Sequence, residues 1–469
     1  MKFSSNHSLS ALALLGLALG GCQPTLDDTR PAANAGPLDF TSYVAVGNSL
    51  TSGYSDGGLY NEAQATSYPA ILAQQFAKTG KGPSAFVQPS FSTARKDGSG
   101  YVKLVNSFVN GVAVAAPVQP SAANSFLGEQ VAYTGTNPAF PTELEAYTGS
   151  QPDNLGVPGI SVLSADRTAS STGNATVDAL TRGAAAAYGT LNNFYQRLLP
   201  AADRGTKDYV TYIGQKNPTF FSCWMGNNDV LTYATAGGVA SASNPFSGLT
   251  DTTSFGKGYR NIVAAISKGG SVKGVCANIP NVTTIPYFNT VTVAAVLASY
   301  KAAIPTIANI YVTARTSATT TATAARAATA TDLLTLTAQA YIAANPGVGT
   351  SPAAPIPSQY VLDPIEQTEV ANRTTQLNAI IAKTARQNKL ALADMNTFFT
   401  GIAQQGVVTN AVNNTATFAT GNLFSLDGVH PTPRGYALVA NEFIRVINSY
   451  YGAGIPSVAP NDYRGVLFP

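Results

Sequence analysis

The chain has 469 residues, a formal net charge of +3, 11% charged residues, two histidines and three cysteines. Two histidines exclude a three-His metal site, three cysteines exclude a four-Cys zinc site, and so small a net charge leaves no basic face for nucleic acid. A hydrophobic content of 45% excludes wholesale disorder, and at roughly 150 residues per domain the length fits up to three domains or one heavily inserted one.

Polarity comes from Ser, Thr, Asn and Gln instead of charge, a surface style compatible with a secreted or envelope protein. Residues 1–22 read MKFSSNHSLSALALLGLALGGC. Lys2 precedes an apolar run from Leu9 to Leu19, too short to span a bilayer comfortably and proportioned like the core of a secretory leader. Leu19-Gly20-Gly21-Cys22 resembles a bacterial lipobox, which implies cleavage before Cys22 and acylation of that cysteine; the alternative is an ordinary leader with an incidental cysteine. The expected organisation is a leader over 1–21 and a flexible tether over 22–38, rich in Pro, Ala, Asp and Thr. The protein is then held at the bacterial envelope by a lipid anchor. Cleavage removes Lys2 and His7, which lowers the formal net charge from +3 to +2 and leaves His430 as the one histidine.

Tyr43 to Val46 reads as a short strand ended by Gly47, and Pro69 to Lys78 has helical spacing with proline in its first turn. Residues 80–153 are rich in Gly, Pro, Ser and Asn without long periodicity, so an insertion of loops and short strands is expected. Asn154 to Val157 reads as a second strand. Val177 to Leu199 reads as a helix from its apolar residues at 177, 180, 184, 187, 191, 194 and 198. Thr219 to Met225 and Val272 to Ile279 are apolar enough for buried strands three and four, with a helix from Phe255 to Lys268 between them. Residues 286–346 are dominated by Ala and Thr; alanine favours helix and threonine opposes it, so a helical insertion is expected, either a lid or a structural extension. Asp363 to Asn388 reads as a long helix opened by Pro364, and Leu390 to Met395 as a fifth strand. Thr432-Pro433 caps a last helix to about Tyr450, whose apolar residues at 439, 443, 446, 447 and 450 share a face. Cys223 and Cys276 fall inside buried strands, where pairing is geometrically awkward, so two free core thiols are expected.

Strands alternating with helices imply a doubly wound α/β fold with a mostly parallel sheet, whose sites lie at the carboxyl ends of strands. Four motifs fall there. Gly47-Asn48-Ser49 follows strand one; a serine at a strand-to-helix turn is exposed to substrate, although the same residues serve ordinary turns. Asn154-Leu155-Gly156-Val157-Pro158-Gly159 follows strand two, its glycines allowing close backbone approach or a plain turn. Gly226-Asn227-Asn228-Asp229 follows strand three, where an asparagine amide can donate to an oxyanion or cap a helix. Asp427-Gly428-Val429-His430 precedes the last helix, a spacing that lets a carboxylate fix the tautomer that makes histidine a base.

Ser, Gly, Asn and Asp-x-x-His in this order resemble the SGNH hydrolases, also called the GDSL family of lipases and esterases. The resemblance extends to the runs YVAVGNSLTSGYSDGGLY and SLDGVHPTPRGYALVAN, which look like the large lipoprotein members. It implies a three-layer α/β/α sandwich with a five-stranded, mostly parallel, flavodoxin-like sheet. That domain would occupy 39–455, interrupted by insertions at about 80–153 and 286–346, with a tail over 456–469. By the same resemblance Ser49 is the nucleophile, His430 the general base and acid, and Asp427 its orienting partner. The backbone N–H groups of Ser49 and Gly159 and the amide of Asn228 then form the oxyanion hole. Asn48 departs from the family, which has aspartate there. The implied activity is hydrolysis of a small-molecule, lipid or glycan ester, needing no metal or cofactor and no nucleic acid. A carbohydrate deacetylase of the same family and a non-catalytic surface lipoprotein are the other readings, and the oligomeric state is not legible.

Overall fold

Residues 43–47, Tyr-Val-Ala-Val-Gly, carry no charged side chain, the pattern of a strand covered on both faces. In the computed structural model they form β1 (Tyr43–Gly47), with all five residues buried. The same composition yields β2 (Phe220–Trp224), fully buried, and β3 (Lys273–Ala277), buried after Lys273; β4 (Ala391–Ala393) follows. The four strands are parallel and lie side by side in the order β1-β2-β3-β4, with Gly47 opposite Trp224 and Cys223 opposite Cys276. Both cysteines are buried and form no disulfide.

The expected second strand is an extended segment on the free edge of β1. Leu155 and Val157 donate to the Ala45 and Gly47 carbonyls at 2.8 and 3.0 Å, but only Asn154 makes a ladder bridge, to Ala45. Its bonding to β1 ends at Val157, opposite Gly47, the last residue of that strand. Counted with this edge segment, the five positions run 2-1-3-4-5 in chain order, the doubly wound order expected of the fold.

The structure describes residues 32–468 except 110–111, 119–129, 135–142, 167–191, 205–206 and 242–243. The chain divides into Met1–Ala32 and Ala33–Pro469, and the fold is that of the second unit. Cys22 and the leader therefore lie outside the described residues, as does most of the helix expected over 177–199, of which Asn193–Gln196 forms a helical turn.

The main helices are α1 (Tyr68–Ala77), α2 (Asn228–Thr235), α3 (Thr252–Ile266), α4 (Pro364–Gln387) and α5 (Pro433–Tyr451). α3 begins three residues ahead of expectation because the Asp251 carboxylate caps Thr253 and Ser254, each at 2.9 Å. α1 packs on α5 and α3 on α4, flanking the sheet; Tyr68 stacks on Phe443 with ring centroids 4.7 Å apart and meets Trp224 edge-on. Among the described residues no helix is long and apolar enough to cross a membrane.

Two insertions depart from this scaffold. Within 80–153, a hairpin pairs Lys103–Val109 with Val112–Val118. The surrounding loops are gathered by buried Arg197, which donates to the carbonyls of Pro89, Ser90 and Glu145 and lies 3.8 Å over the Phe91 ring. The 286–346 segment is not the helical insertion expected from its alanines. Helices at Val293–Ala303 and Leu336–Ala344 flank an antiparallel hairpin, Tyr311–Arg315 against Thr323–Ala327. Buried Ile310, Val312 and Ala314 alternate with half-exposed residues and build a separate small core with Leu334, Ala338, Ile356 and Val361. Period-two burial and β-branched threonines overrode alanine's helix preference.

α4 opens with a reciprocal cap: Asp363 accepts from Ile365 and Glu366, and Glu366 accepts from the Asp363 N–H. The Arg315 N–H of the inserted hairpin also binds Asp363, at 2.6 Å. Burial pushes the Glu366 carboxyl from 4.5 to about 8, with the charges of Asp363 and Glu369 adding to the rise and Arg315 opposing it. A raised carboxyl favours the folded state least when ionised, so its stability is lost as pH climbs through that interval. Glu366→Gln is therefore expected to match the parent near pH 4.5 in thermal unfolding, gain with rising pH, and level off above about 8, ahead by a few kcal/mol.

Candidate active site

The first motif leaves β1 at its carboxyl end. The Asn48 carbonyl oxygen of the side chain accepts from the Leu50 N–H at 3.1 Å and starts a single helical turn, Ser49–Ser52. Gly53, at φ 84°, ends that turn in the left-handed region that glycine occupies without strain. Ser49 is 6% exposed, and its Oγ lies 2.8 Å from Nε2 of His430.

His430 and Asp427 come from the turn before α5. Gly428 donates to the Ser425 carbonyl and Ser425 to that of His430, which folds the loop on itself. Asp427 Oδ1 accepts from the N–H groups of Val429 and His430, both at 2.8 Å, and from Ser425 Oγ at 3.1 Å. Its Oδ2 accepts from Gly57 N–H at 2.9 Å and faces His430 Nδ1 at 2.8 Å. Burial alone would raise this carboxyl, but the charge of His430 and the bonds from His430 and Val429 hold it at about 2. With Nδ1–H donated to an anion, the neutral ring presents its Nε2 lone pair to the Ser49 hydroxyl. The arrangement can therefore remove the serine proton.

The other two motifs converge from the neighbouring strand ends. The Asn154 side chain donates to the Thr51 carbonyl at 2.9 Å and accepts from Gly156 N–H, tying the second motif to the serine turn. Gly159, at φ 78°, is exposed on the loop that follows. Asn228 opens α2, and its amide donates to the Ile160 carbonyl at 2.9 Å, one residue beyond Gly159. Fully buried Asp229 accepts from Val162 N–H at 2.8 Å, so two consecutive residues of α2 fasten the Gly159 loop. The structure thus places Ser49, Asp427 and His430 in one hydrogen-bonded chain and sets Asn228 against the Gly159 loop.

Residue-type reasoning missed the supports of the chain: Gly57, Ser425 and, behind them, buried Asp56, which accepts from Leu426 N–H. It also missed Tyr287 of the 286–346 insertion, whose N–H donates to the Gly428 carbonyl at 2.9 Å. Gly428 sits at φ 71°, and a Cβ there would come within 3.0 Å of the Tyr287 nitrogen. Among the described residues no group of three or more His, Cys, Asp or Glu side chains is placed to hold a metal ion.

No curated protein and no solved structure matches the chain at the significance required. The family model for GDSL-like lipases and acylhydrolases matches residues 43–443, from the first residue of β1 into α5 and across all four motifs. The chain belongs to the GDSL-like lipase/acylhydrolase family and is a hydrolase of the ester-cleaving type.

Proposed function

We propose that the protein is a serine esterase whose triad is Ser49, His430 and Asp427. The carrying observation is the unbroken chain from Ser49 Oγ through His430 to Asp427, with 2.8 Å at both contacts. In this reading His430 Nε2 takes the Ser49 proton as Oγ attacks the ester carbonyl. The resulting oxyanion is held by the N–H groups of Ser49 and Gly159 and the Asn228 amide. The imidazolium returns its proton to the leaving alcohol, and water, activated by the same ring, releases the acid and frees Ser49. Lipid anchoring at Cys22 would hold the enzyme at a membrane surface; membrane fractionation of Cys22→Ala tests that separately.

The two unmatched features of the substrate are its acyl length and its alcohol. A series of nitrophenyl esters of increasing chain length measures the first: preference for acetate points to deacetylation, preference for medium or long chains to lipase work. Covalent labelling by a fluorophosphonate is expected for the parent and lost in Ser49→Ala; a parent that neither labels nor turns over any ester would overturn the proposal. Asn228→Ala is expected to lower kcat by about 10²–10³, the usual cost of one oxyanion donor, leaving a slow enzyme.

A further inference from the structure

Tyr54, one residue past the turn that carries Ser49, contacts Ser49 and His430 directly and reaches Asp427 through Gly57. Its N–H donates to the Ser49 carbonyl at 3.0 Å, closing the serine turn. Its ring lies against His430, with centroids 4.7 Å apart and planes at 52°. Its hydroxyl donates to the Gly57 carbonyl, and the Gly57 N–H in turn donates to Asp427 Oδ2. The residue is itself pinned from two sides: the Tyr436 hydroxyl of α5 donates to its carbonyl at 2.6 Å, and Phe194 meets its ring edge-on at 6.0 Å.

We infer that Tyr54 is a positioning residue for the esterase reaction: it registers Ser49, His430 and Asp427 to one another, and its ring stabilises the imidazolium formed during acyl transfer. This rests on the proposed triad. The chemical reason is that His430 is neutral before attack and cationic after it, so a π face that attracts cations favours the transition state over the ground state. The ring separation is well inside the roughly 6 Å over which such attraction operates. Asp427 answers the same charge from the Nδ1 side. Tyr54 sets an aromatic ring beside the imidazole and is linked to Asp427 through Gly57.

Two kinds of variant separate this from a role in folding. Tyr54→Leu removes the ring and is expected to lower kcat about tenfold with KM within about twofold. Tyr54→Phe keeps the ring and is expected to restore kcat to within about threefold of the parent, the remaining loss reporting the freed Gly57 loop. Phenylalanines of increasing fluorination at position 54 keep the shape and drain the π face, and kcat is expected to fall stepwise along the series. A flat series, or a Tyr54→Leu enzyme with parental kcat, would overturn the inference. The downfield Nδ1–H proton resonance of His430 reads the positioning without any turnover. It is expected to persist in Tyr54→Phe and to broaden or vanish in folded Tyr54→Leu; an unchanged signal in Tyr54→Leu also overturns the inference. Loss of fluorophosphonate labelling in the parent would instead indict the triad itself.

Discussion

Ser49→Ala is expected to bring ester turnover to within a small factor of background, a loss of about 10⁴-fold or more, while leaving the fold intact. The reason for the size is that no neighbouring group can substitute. The His430 ring is aimed at one oxygen, the Ser49 Oγ at 2.8 Å, and the attacking atom is lost with it. Folding is insulated because the Ser49 hydroxyl bonds to that ring, whereas the turn around it is held by backbone bonds from Thr51, Ser52 and Tyr54 and by the Asn48 cap. Steady-state rates on the best nitrophenyl ester, with circular dichroism on the same sample, check both halves. A Ser49→Ala protein that still hydrolyses esters at the parental rate would place the nucleophile elsewhere.

Asp427→Asn is expected to cost about 10⁴-fold in kcat, far more than a neutral swap of similar shape would suggest. The carboxylate now accepts from Gly57, Val429, Ser425 and both the backbone and ring nitrogens of His430. An amide in its place must turn an N–H2 toward some of these donors. If it faces the ring, Nδ1 must accept, and the proton moves to Nε2, where it blocks transfer from Ser49. The pH profile gives a second check. Since the Asp427 carboxyl is held at about 2, it stays ionised from neutral pH well down into the acid range. A fall of parental activity on mild acidification is then not due to protonation of Asp427; a base that has already taken a proton cannot accept the one on Ser49. A parental activity that held steady down to about pH 3 would contradict the base assignment.

The parts of the fold legible in the sequence are those buried on both faces. FFSCW and YVAVG admit no alternation because helices cover both sides of the sheet, so the runs stand out and their carboxyl ends mark the site. The motif residues were legible for a related reason, since each carries a side chain whose chemistry is its signature. Gly57 has none: its contribution is a backbone N–H delivered to Asp427 across 370 residues, a contact that only the folded chain defines. Ser425 lay two residues from Asp427 and could have been found as a hydroxyl within reach of the carboxylate. In the Thr-rich hairpin, spacing is a stronger signal than composition. Ile310, Val312 and Ala314 already alternate in the sequence, and the small core they build outweighs the preference of their alanine neighbours.

The single bond from Tyr287 to Gly428 changes how the 286–346 insertion should be regarded. It joins the insertion to the loop bearing His430 through backbone atoms on both sides, at a glycine with no room for a side chain. The root of the insertion is thereby tied to the loop that carries Asp427 and His430. Chimeras that exchange the insertion must therefore preserve an N–H at the place of Tyr287 if they are to keep this tie to the His430 loop.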